Sequence, residues 1–116
     1  MSFDTSVLDA ALDRQRAGHE QQRQALVTHV LRLLDDLGPA YGVQRAYIFG
    51  SLAKAGRFRP ESDIDIAVAQ IDARRFFEFS GRLSAELRRE VDLMVLSECH
   101  FADKIRREGI EWTRSG

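Results

Sequence analysis

FGSLAKAGRFRPESDIDIAV, residues 49–68, sets a glycine-serine corner directly after a short apolar run and then alternates two aspartates with isoleucines. Successive side chains of a strand point to opposite faces, so Asp63 and Asp65 share one face while Ile64, Ile66 and Val68 share the other. The isoleucines are expected inward and the aspartates outward. Two carboxylates spaced by roughly 6 to 7 Å repel by about 2 to 3 kcal/mol at an effective dielectric near ~20, and a divalent cation turns that repulsion into attraction. Hard carboxylate oxygens suit Mg²⁺ or Mn²⁺, and Mg²⁺ commonly combines one or two protein carboxylates with substrate phosphates. Taken alone, the DID pattern fits a strand with a wet face equally well.

The corner bears on that choice. Gly50 lets the backbone pass close to a phosphate, and the N–H groups that follow, with the Ser51 hydroxyl, can form an anion site at a helix N-terminus. On its own, the same pair is better read as a strand-to-helix turn capped by Ser51. A third acid, Asp92, lies in EVDLMVL (90–96), which alternates as a further strand. Pairing of the two strands brings Asp92 beside Asp63 and Asp65. A phosphate corner, a carboxylate pair and a third acid together supply what two-metal nucleotidyl transfer needs, with Asp92 where the attacking hydroxyl would lose its proton. Lys54, Arg57 and Arg59 could neutralise phosphate charge, although loop cations are more often solvated; Ser62 could bind phosphate or steady the turn.

Around this stretch the pattern alternates strand and helix. Residues 4–37 read as helix, either one or two joined near Gly18, with a stripe of Leu26, Val30, Leu33, Leu34 and Leu37 and a stop at Gly38-Pro39. Arg45 to Phe49 suits a buried strand, and Asp63 to Ala69 a second. Asp72 can cap a helix over 73–88 whose Phe76, Phe79, Leu83 and Leu87 are core. Ser97 is expected to cap a last helix ending near Gly109, a position suited to positive φ, and IEWTRSG can add a short strand. The expected class is α/β, of the α+β kind: a small mixed β-sheet flanked by helices, with an added N-terminal helical segment.

Composition narrows the partners. The 116 residues carry 44% hydrophobic and 30% charged side chains, which indicates one globular domain, 1–116, with a helical extension over 1–40 and a core over 41–116. A formal net charge of -1 offers no field to gather a long nucleic acid. Cys99 stands alone and is expected in the core; with no signal segment and no run approaching the ~20 apolar residues of a membrane span, a cytoplasmic location is expected. His19, His29 and His100 lack ligand spacing and read as surface or packing residues.

GSLAKAG, SDIDIAV and VDLMVL occur in order, followed by REGIEW. From Tyr47 to Leu96 this resembles the minimal nucleotidyltransferase group of the DNA polymerase beta superfamily. The resemblance implies a nucleotidyltransferase fold, with Gly50 and Ser51 binding the triphosphate, Asp63, Asp65 and Asp92 holding two Mg²⁺ (or Mn²⁺) ions, and Asp92 serving as the base. It further implies ATP as substrate and a helical HEPN-family protein as partner and AMP acceptor, as in toxin–antitoxin pairs. Eleven residues separate Ser51 from Asp63, one more than the family's usual pattern, a change that loop energetics absorb easily. The alternative is a binding module that neutralises its partner by occlusion, with little or no catalysis.

Overall fold

The computed structural model describes residues 5–115. A single helix, α1 (Ser6–Leu37), runs for 32 residues through Gly18. One glycine costs a helix about 1 kcal/mol, too little to break a segment otherwise rich in Ala, Leu, Gln, Glu and Arg and free of proline. Its second half buries Val30, Leu33 and Leu34, whereas Val7 (78% exposed) and Leu8 (57%) show that the first turns stand clear of the body. At 1.5 Å per residue the helix is about 48 Å long, which explains the molecular dimensions of 67 × 28 × 26 Å. At its C-terminal end the Gly38 N–H donates to the Leu34 carbonyl, and Pro39 then ends the helix in a 3-10 turn, Gly38–Tyr41.

Four strands follow: β1 (Arg45–Phe49), β2 (Ile64–Val68), β3 (Val91–Val95) and β4 (Ile110–Thr113), the last within the tail expected to add one. Their order is β3-β2-β1-β4, with β1 antiparallel to β2 and β4, and β2 parallel to β3. The parallel pair needs a crossover, and α2 (Phe76–Leu87) provides it. Asp72 caps a 3-10 turn, Ala73–Arg75, rather than α2 itself, its carboxylate accepting from the Arg74 N–H at 3.1 Å, and the α-helix begins only at Phe76. Phe79, Leu83 and Leu87 are buried; Phe76 is half-exposed at the helix start.

The main core lies on the isoleucine face. Ile48, Ile64, Ile66 and Val68 pack there against Val30 and Leu34 of α1 and Phe79 and Leu83 of α2. Trp112 joins this cluster from β4 and donates its indole N–H to Asp35 of α1 at 2.6 Å, tying the tail to the helix.

The opposite face departs from the sequence reading, which left it to solvent. Tyr47, Ala67, Leu96 and Ile105 form a smaller buried cluster beneath α3 (Ala102–Glu108), and the half-buried Cys99 packs at its edge. Ser97 does not cap this helix. It lies in a separate 3-10 turn, Leu96–Glu98, after which Cys99 is extended (φ -102, ψ 121), so helix winding restarts only after Phe101. Gly109 is also not left-handed, at φ -77 and ψ 167; a Cβ there would come within 3.0 Å of the Ile48 carbonyl oxygen. The tight helix end, where a Cβ would overlap the Ile105 carbonyl oxygen, and the close approach to β1 are together what favour glycine, not a positive φ.

Truncating a fully buried side chain on the second half of α1 should be costly and on the first half nearly silent. Leu34→Ala is expected to lose about 3 kcal/mol and Leu8→Ala less than about 0.5 kcal/mol, measured by urea denaturation.

Candidate functional site

The site forms where β1 ends. Gly50 has φ +73 and opens a 3-10 turn, Gly50–Ala53, in place of the longer helical segment the sequence allowed. The register pairs Phe49 with Asp65, so the chain turns at Gly50 directly over the Asp65 side chain. A Cβ on residue 50 would overlap that carboxylate. Glycine is therefore required twice, by the left-handed backbone and by the acid beneath it.

The parallel pairing of β2 with β3 puts Asp92 opposite Asp65. Asp63 stands just before β2 rather than inside it, two residues from Asp65. Both neighbours act on Asp65: its half-buried carboxyl is pushed up from 3.8 to about 6, first by burial, then by the charge of Asp92, then by that of Asp63. Asp63 and Asp92 are exposed. Among the described residues no three His, Cys, Asp or Glu side chains form a ready-made cage for an ion. The donor set still fits a hard divalent cation, because a crowd of carboxylates strained by mutual repulsion gains from one, and substrate phosphates can complete its shell.

A tether from α1 supports the turn. Arg23 donates to the Leu52 carbonyl at 3.1 Å while its guanidinium is forked against Glu20, whose carboxyl is drawn down to about 2 chiefly by that hydrogen bond. The loop after the turn is pinned from another side. Arg89 donates to the Ser62 and Pro60 carbonyls and lies over the Phe58 ring, and Arg59 donates to the Gly56 and Phe58 carbonyls. Ser62 accepts from the Arg59 N–H at 3.0 Å, so it steadies the turn in this structure. Lys54 and Arg57 line a cleft beside Gly50 and Ser51. None of the three histidines reaches it.

Sequence reasoning did not find Arg23 or the contribution of α3 to the cleft. Arg23 meets its carbonyl across 29 residues, and the only hint was a basic side chain in an otherwise solvated stretch.

A four-stranded mixed sheet with the corner on one strand and acids paired across the next two is the arrangement of a nucleotidyltransferase core. The chain belongs to the polymerase beta nucleotidyltransferase family, whose sequence profile matches residues 37–113. Among solved structures it is similar to a chain of a toxin–antitoxin complex crystallised with AMP-PNP, at 30% identity and a TM-score of 0.55 over 74% of this chain and 71% of the other. It is similar also to a chain of the MntA-HepT toxin–antitoxin complex, at 27% identity and a TM-score of 0.53 over 79% of this chain and 73% of the other. Comparison with curated proteins gave no match.

Two outcomes test this geometry. Gly50→Ala should destabilise the fold by about 2 kcal/mol, since it both strains the left-handed backbone and crowds Asp65; a thermal melt measures it. For Asp65 the raised pKa means that ionisation costs more in the folded chain than in the unfolded one. Its contribution is therefore most favourable below pH 3.8 and is lost as pH rises through about 6. With chelator present, Asp65→Asn should stabilise the protein at pH 8 by about 1 kcal/mol, a figure reduced for solvent screening, and the gain over wild type should vanish near pH ~4. Paired melts at the two pH values measure the difference.

Proposed function

We propose that this chain is the nucleotidyltransferase of a toxin–antitoxin pair, transferring AMP from ATP to a hydroxyl of a HEPN-type partner protein with release of pyrophosphate. The observation that carries the reading is the placement of Gly50 directly over the Asp65 carboxylate, whose pKa burial and two neighbouring acids raise to about 6. A chain acting only by occlusion has no use for that costly crowding. Similarity to toxin–antitoxin structures, one of them with AMP-PNP, supports the choice of nucleotide and of a protein partner.

In this reading the Gly50 and Ser51 backbone and hydroxyl bind the triphosphate, while Asp63, Asp65 and Asp92 hold the divalent ions, Mg²⁺ or Mn²⁺. Bound ions would lower the pKa of the attacking hydroxyl and steady the pyrophosphate as it leaves. Asp92, exposed at its strand position, accepts the proton from that hydroxyl. Arg23 keeps the turn in register by holding Leu52. The reading takes 41–116 as the catalytic core and 1–40 as a helical extension; the family match covers 37–113. Among the described residues no helix is long and apolar enough to cross a membrane, and a cytoplasmic setting suits ATP as donor.

The test is radiolabel transfer. Wild-type protein with labelled ATP, Mg²⁺ and the product of the adjacent gene should label that product, and Asp63→Asn combined with Asp65→Asn should reduce labelling by at least ~10³-fold. Complex formation between the double variant and the partner, with undiminished labelling, would overturn the roles given to the acids.

A further inference from the structure

The cleft that starts at Gly50 and Ser51 is closed on its far side by α3, which carries none of the three acids. It encloses about 660 Å³, inside the range of small-molecule sites. Phe49 and Phe101 stand edge to face along one wall, their ring centroids 6.1 Å apart. Cations from two elements line the cleft, among them Lys54 at the end of the 3-10 turn and Lys104 on α3, with Arg57 and Arg59 from the loop.

A single carboxylate joins them. Glu108 Oε1 lies 3.6 Å from Lys54 Nζ, and its Oε2 lies 4.0 Å from Lys104 Nζ. Two ammonium groups separated by 50 positions in sequence are thus gathered around one small anion. All three side chains are partly exposed, so each pair contributes little and is readily exchanged. A phosphate group offers more oxygens and more negative charge to the same two donors. It is the better occupant.

We propose that Lys54 and Lys104 form a subsite for the distal phosphates of the nucleotide, which displace Glu108 from between them. This rests on the nucleotidyltransferase reading above and assigns a second anchor to the same substrate. The donor is then selected largely by its polyphosphate tail. A nucleoside monophosphate, lacking that tail, gains nothing from the lysine pair.

Isothermal titration of the intact chain in Mg²⁺, with ATP, inorganic tripolyphosphate and AMP as the probes, tests the assignment. Glu108→Gln keeps the side-chain shape, removes the competing charge, and should tighten ATP and tripolyphosphate by about 3- to 10-fold; Lys104→Ala and Lys54→Ala should each weaken them by about 5-fold or more. AMP affinity should change by less than about twofold in all three variants. Unfolding is controlled by thermal melts, and Lys104→Arg, which retains the charge, should recover most of the loss. The proposal fails if Glu108→Gln leaves ATP affinity unchanged or weaker, or if the lysine variants affect AMP as much as ATP. Where wild type labels its partner but binds ATP without regard to residue 108, only this subsite is lost; where wild type neither binds ATP nor labels a partner, the transferase reading goes with it.

Discussion

The contact between the backbone at Gly50 and the carboxylate of Asp65 governs the local architecture. It follows from a register: β1 and β2 run antiparallel with Phe49 opposite Asp65, so the chain leaving β1 passes over that acid. Any side chain at residue 50 would move the turn away from the acids or disturb the pairing. The parallel register of β2 with β3 then puts Asp92 alongside. Two ladders of hydrogen bonds, both set by the isoleucine face packing beneath α1 and α2, therefore determine where Asp65 and Asp92 stand, with Asp63 just ahead of them.

The energetic character of the site follows from its location at the open end of a face that is otherwise covered. α3 covers the cluster of Tyr47, Ala67, Leu96 and Ile105 on one face, where Asp65 is half-buried while Asp92, its partner across the ladder, is exposed. Burial is the first cause of the raised Asp65 pKa, ahead of either neighbouring charge. A face wholly open to solvent would have screened the three carboxylates and weakened their repulsion. The fold accepts local instability here and offsets it in the core on the opposite side of the sheet.

The sheet was legible because its strands carry period-two patterns bounded by glycines and turns, and the acids because they interrupt those patterns at matching places. IDIAV and VDLMV are short, but their alternation leaves one choice of inward face. The α3 side was not legible. Leu96 and Ile105 form no periodic stripe together, and Ser97 has the chemistry of a cap although the extended backbone at Cys99 prevents the helix from starting there. Arg23, Lys104 and Glu108 were missed for a related reason: a surface-like charge acquires meaning only when topology brings distant segments together, and no local spacing encodes that.

The long helix has a mechanical consequence. Arg23 grips Leu52 part-way along α1, and beyond it Leu12, Arg16 and Glu20 of the helix line a groove shared with Ala55, Phe58 and Arg59 of the loop, so that only the first turns stand in solvent. The helix is a beam braced against the Gly50 turn and the loop that follows it. Anything that pulls on the free first turns of the helix bears, by way of Arg23, on the backbone two residues after Gly50.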